Sequence, residues 1–450
     1  MEVLAADSLP LGRVVPRVTC VSDTTQSYAL YLPTSYKPAL KFPVIFIFEP
    51  LARGPLPVRI MQEAAEKYGY ILAASNNSRN GPVAESLKAA NAMYQDVTGR
   101  FSVDPKRVYF AGFSGGARLA INVAAGCHGC AAGIAACGAG YPQNLTPMQF
   151  HSTPLFVAIG DEDFNFPEII RLEPILAEAK STYHVLRFSR AHEWPPSEVW
   201  LEVLAWFQLQ AMKSGTIPKD DRFIADGYQA QLSAASEFVS KHDHYAALRA
   251  YRQAVADYEA LLDTGEAQRF AAELEKSKLV KDAIKGEQRE LDEQADMEAP
   301  IYQHIQLLIT GQGQTPDNAR DLEELVQQLR RRTEEKDEPR RRVAKRALSG
   351  IYIHIYEAGG ALIEKKQFSD AIILYGLITS TATKAPGAHL QRARAYAGLK
   401  DKKRAMNELR AAIQDGLRSR SDLDQPEFAL FKASPDFNQL VDSIPQSGSE

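Results

Sequence analysis

Short apolar runs alternate with amphipathic stretches along the first half of the chain. The runs "SYALYLP" (27–33), "PVIFIFE" (43–49), "YILAAS" (70–75), "RVYFAGF" (107–113), "AGIAAC" (132–137), "PLFVAIG" (154–160) and "YHVLRFS" (183–189) are bounded by turn residues and predict strands. Between them, residues 58–68, 83–101, 115–125, 168–180 and 196–212 carry helical periodicity. Strands that are apolar throughout, separated by helices, predict an α/β domain: a mostly parallel sheet with helices on both faces.

The pattern changes at "KSGTIPKDDRF" (213–223), where Gly, Pro and charge interrupt the periodicity. This places an α/β domain at 1–213, a linker at 214–223 and an all-α domain at 224–445. Within the latter, Gly359, Phe368, Ala371 and Tyr375 recur 34 positions later as Ala393, Lys402, Ala405 and Leu409. Small residues at such spacing let paired helices pack closely. A weaker, out-of-phase unit carries Ala235, Phe238, Ala247, Tyr251 and Ala254. The charged run "EEKDEPRRR" (334–342) reads as a solvated helix junction. The period resembles tetratricopeptide repeats, which implies a protein partner or self-association through a helical surface.

Charge and composition narrow the function classes. A net charge of −4 gives no basic footprint for nucleic acid, and no apolar run is long enough to span a membrane. Met1–Pro10 lacks the charged start and apolar core of a signal peptide. Cys127 and Cys130 form a single C-x-x-C with no second pair to complete a zinc site. That favours buried residues or a simple disulfide over a metal or redox centre.

The strongest chemical signal is "YFAGFSGGARLA" (109–120). Gly112-Phe113-Ser114-Gly115-Gly116 is a G-x-S-x-G between a strand and a helix, the context in which a sharp turn exposes a nucleophilic serine. A serine hydroxyl needs a base, and the base an orienting carboxylate. On a sheet of this kind they follow in the order acid, then histidine, at the ends of later strands. The loop "GDEDFNFP" offers Asp163, with Asp161 in reserve. His192 follows the last strand in "SRAHEWPP", whereas His184 lies inside a strand and reads as a sheet-face residue.

With Ser114, Asp163 and His192 in that order, the chain resembles the α/β-hydrolase superfamily over residues 25–212. "GFSGGARLA", "GDEDFNFP" and "HEWPP" are most similar to compact esterases of the polyhydroxybutyrate-depolymerase and feruloyl-esterase type. The resemblance implies a carboxylic-ester hydrolase working through an acyl-enzyme, with no cofactor or metal, on a small-molecule or polymer ester. It also points to an exported protein. Such enzymes carry a His-Gly pair after the third strand; here the chain reads Glu49-Pro50-Leu51, and Pro50 has no N–H. The oxyanion donors are then expected to be the Leu51 and Gly115 amides. Arg53, Asn77, Arg79, Phe164 and Trp194 are candidates for the substrate cleft. A peptidase or acyltransferase on the same fold, and a silent hydrolase-like scaffold in an interaction protein, are the competing readings.

Overall fold

The computed structural model describes residues 9–312 and 316–444. Residues 1–8, most of the segment read as lacking a signal peptide, and residue 445, the end assigned to the helical domain, lie outside them. By packing, the chain forms two compact units, Met1–Glu287 and Gln288–Glu450.

The first unit is built on an eight-stranded sheet in the order β1-β2-β4-β3-β5-β6-β7-β8. The strands are β1 (Val14–Thr19), β2 (Ser27–Tyr31), β3 (Phe42–Phe48), β4 (Ile71–Ser75), β5 (Val103–Phe113), β6 (Ala131–Cys137), β7 (Leu155–Gly160) and β8 (Tyr183–Phe188). β1 and β2 run antiparallel at one edge, and from β4 onward every neighbour is parallel. Every residue of β3, β4 and β7 is buried, which is why those strands appear in sequence as unbroken apolar runs. This is the α/β-hydrolase fold.

Five helices cover the sheet: α1 (Pro55–Tyr68), α2 (Val83–Arg100), α3 (Gly115–Gly126), α4 (Phe166–Glu178) and α5 (Ser197–Lys213). On one face Ile45, Ile47, Leu72, Tyr109 and Phe156 meet Val58 and Met61 of α1 and Trp200, Val203 and Phe207 of α5. On the other, Phe46 packs against Phe110 and against Tyr94 of α2.

The unit continues beyond the break at 214–223. Helices α6 (Asp221–Ser240) and α7 (His244–Tyr258) form a hairpin, followed by α8 (Gly265–Lys276) and the start of α9 (Lys278–Ile309). Asp257 of α7 is buried and takes a bond from Trp206 Nε1 of α5 (2.8 Å), pairs with His184 Nδ1 of β8 (2.9 Å), and accepts from Gln231 and Gln253 (3.0 Å each). Burial alone would raise this carboxyl; the His184 imidazole and the donated hydrogen bonds outweigh it and hold it below the ordinary carboxylate range. Arg187 of β8 binds both Glu173 of α4 and Glu287 of α9. Composition therefore changes at 214–223, while packing groups α6–α8 with the sheet.

The second unit is helical: the rest of α9, then α10 (Pro316–Arg332), α11 (Glu338–Glu364), α12 (Phe368–Thr381), α13 (Pro386–Gly398), α14 (Lys402–Asp415) and α15 (Pro435–Ser443). The small residues of the 34-residue spacing sit where helices touch. Ala371, Ala393 and Ala405 are fully buried, and a methyl on Gly359 would lie 2.6 Å from the Tyr375 ring. Glu334, Lys336 and Asp337 of the charged junction are exposed. No helix among the described residues is long and apolar enough to cross a membrane.

Candidate active site

Ser114 stands at the carboxyl end of the central strand β5, in the turn into α3. Its backbone has φ 53° and ψ −122°, outside the left-handed helical well that side chains tolerate best. The turn is held by Ser114 N–H donating to Cys137 O (2.8 Å). The flanking glycines are dictated by space. A methyl on Gly112 would meet Gly116 O at 2.1 Å, and one on Gly116 would meet Phe48 O at the same distance. The serine side chain makes no helix cap, so its hydroxyl is not spent on α3.

Asp163 and His192 come from the ends of β7 and β8. Those two loops are laced together by Asp161 N–H to Phe188 O (2.9 Å) and Glu162 N–H to Arg190 O (3.0 Å). The crossing is so close that a methyl on Gly160 would fall 2.2 Å from Arg190 O. It delivers Asp163 Oδ2 to His192 Nδ1 at 2.8 Å. Asp163 is 1% exposed, and its other oxygen accepts from Asn165 N–H (2.8 Å), which fixes the carboxylate's direction. Asp161 instead accepts from Ser189 Oγ. The imidazole lies between Phe113 (centroids 4.5 Å apart) and Phe164 (4.2 Å). It therefore rests against the residue immediately preceding Ser114.

Residues 63–193 match the dienelactone hydrolase family. The matched segment contains Ser114, Asp163 and His192. Among solved structures, the chain is similar to Thermogutta terrifontis esterase 2 phosphorylated by paraoxon, at 16% identity over 46% of this chain and 96% of that one, TM-score 0.37. It is similar to a ferulic acid esterase at 15% identity over 44% and 98%, TM-score 0.37. It also aligns with a thermostable esterase at 15% identity and TM-score 0.34, over 42% of this chain and only 58% of that one. A comparison with curated protein sequences finds no match.

Several expected site residues are used otherwise. Leu51, read as an oxyanion donor, gives its N–H to Glu49 Oε2 at 2.7 Å. The buried Glu49 carboxylate also takes the Arg53 N–H and the Arg53 guanidinium, so the turn after β3 closes on its own acid. Trp194 is not on a cleft rim: it is 8% exposed and packs beneath Phe113 and against Trp200, because its apolar ring joins the α5 side of the core. Asn77 fastens the β2 edge instead, accepting from Ser27 N–H and donating to Thr25 O. Arg53 and Arg79 remain at the surface near the turn, joined through the Leu51–Arg79 backbone bridge. Sequence reading also missed Glu49 as a clamp; its only signal was an acid ending an otherwise apolar strand.

Cys127 and Cys130 form a disulfide at the far end of α3. Burial pushes the Cys20 thiol up to about 12, and Cys137 higher still, so neither is a ready nucleophile. Among the described residues no group of three or more His, Cys, Asp or Glu is arranged to hold a metal ion.

Proposed function

We propose that the protein is a serine hydrolase of carboxylic esters, with Ser114 as nucleophile, His192 as base and Asp163 as the group that orients it. The observation that carries this reading is the 2.8 Å Asp163–His192 pair held against the strand end that bears the strained Ser114. With Nδ1 committed to Asp163, Nε2 is the nitrogen left to take the serine proton. Attack forms the Oγ–carbon bond and moves the carbonyl electron pair onto oxygen, beside the Gly115 N–H at the start of α3, where helix amides have no internal acceptor. The imidazolium then protonates the departing alcohol, and water repeats the sequence to release the acid.

The test is hydrolysis of p-nitrophenyl acetate and butyrate by wild type and Ser114→Ala. Turnover that vanishes in the variant is the expected result; equal rates in two folded samples would refute the reading. Glu49's hold on Leu51 N–H favours the competing idea of a silent scaffold, and the same assay separates the two. We further propose that the α11–α14 hairpins bind a protein partner or a second copy of the chain, to be checked by sedimentation of the full-length protein.

A further inference from the structure

An oxyanion site needs two donors to be effective, since removing one from such a pair costs about 10²–10³ in turnover. Gly115 supplies one N–H, and Leu51 has given its own to Glu49. The loop 76–82, after β4, fills this gap. Asn80 N–H donates to Pro50 O at 2.9 Å, and Arg79 bridges Leu51, so the loop is tied by backbone to the turn after β3. The Asn80 side chain reaches Gly115. The three heavy atoms nearest a methyl built on Gly115 all belong to it: Oδ1 at 1.9 Å, Cγ at 2.8 Å and Nδ2 at 3.2 Å. Among the described residues this side-chain amide has no hydrogen-bond partner. A half-turn about Cβ–Cγ exchanges Oδ1 for Nδ2, and the terminal torsion of Asn is broad enough to allow it.

We propose that the Asn80 side-chain amide is the second oxyanion donor, working with the Gly115 N–H in place of Leu51. The inference rests on the esterase reading above. When Ser114 Oγ bonds to the acyl carbon, the π pair goes to the carbonyl oxygen and the serine proton to His192. Asn80 Nδ2 donates a hydrogen bond to that oxygen and transfers no proton. When the pair returns, the bond to the alcohol breaks and His192 protonates it. The same geometry accounts for Gly115: any side chain there would displace the amide.

The experiment compares wild type, Ser114→Ala, Asn80→Ala and Asn80→Asp in steady-state hydrolysis of p-nitrophenyl acetate. Asn80→Ala should lower kcat by about 10²–10³ with KM changed less than about threefold, because the bond forms only as the oxyanion does. Asn80→Asp should be no more active than Asn80→Ala, since a carboxylate repels the oxyanion. A purely structural Asn80 would give the opposite order, with the isosteric Asp retaining more activity. Asn80→Ala within about threefold of wild type, or Asn80→Asp above Asn80→Ala, would overturn the proposal while leaving the esterase reading standing. Absence of Ser114-dependent turnover in wild type would remove both.

Discussion

Ser114→Gly should make the protein more stable than Ser114→Ala, although both remove the proposed nucleophile. Ser114 is held at φ 53° and ψ −122°. A non-glycine residue in so sparsely populated a region costs about 1–3 kcal/mol, and Ala inherits that cost because it keeps the Cβ. Glycine adopts the conformation freely but loses about 0.5–1 kcal/mol more in ordering its backbone. The serine side chain makes no cap bond to α3, so neither replacement forfeits one. The net advantage of Gly over Ala is then about 1 kcal/mol, and at most about 2.5 kcal/mol. For a unit of this size, Met1–Glu287, that corresponds to about 2 °C in Tm, and at most about 4 °C. All three tryptophans, Trp194, Trp200 and Trp206, lie in the first packing unit, so a thermal melt followed by tryptophan fluorescence reports on that unit alone. A Gly variant melting below the Ala variant would show that the turn at Ser114 stores no strain and refute the reasoning.

Three further outcomes follow from the contacts described. Asp163→Asn should lower kcat for p-nitrophenyl acetate by about 10³–10⁴ with KM nearly unchanged, because the amide no longer fixes the His192 tautomer; a loss under tenfold would count against the pairing. Asp257→Ala should destabilise the first unit by about 3–5 kcal/mol in denaturant titration at pH 7, since it strands His184 and the Trp206 N–H. The folded Asp257 carboxyl titrates below its unfolded value, so its contribution is present above about pH 4 and fades as pH falls through the folded value. The stability gap between wild type and Asp257→Ala should therefore narrow as pH falls below about 4.

Much of the sheet was legible because burial on both faces leaves β3, β4 and β7 with no polar alternation to confuse with helix. β1 was not: Val14–Thr19 contains Pro16, sits at the edge, and is mostly half-exposed, so no apolar run marks it. The Asp163–His192 pairing was readable because each residue follows a recognisable strand. The Leu51 amide was misjudged because its partner is a side chain two residues away, and nothing in the spacing says whether Glu49 folds back or points out. Trp194 illustrates the same limit: a bulky ring beside a site residue serves rim or core according to which way the loop turns. The Asp257–His184 bond spans 73 positions, and no local pattern announces it.

That bond has a bearing on how the chain is divided. A cut after Lys213, where the composition changes, would look like a clean excision of the hydrolase half. It would instead bare Trp206, leave His184 without its carboxylate, and free Lys213 from the carbonyls of Ala256 and Asp257. The first helices after the break are thus a wall of the sheet-bearing unit rather than cargo attached to it. By packing, the first unit closes only near Glu287, inside α9, so the boundary in composition and the boundary in packing lie some 70 residues apart.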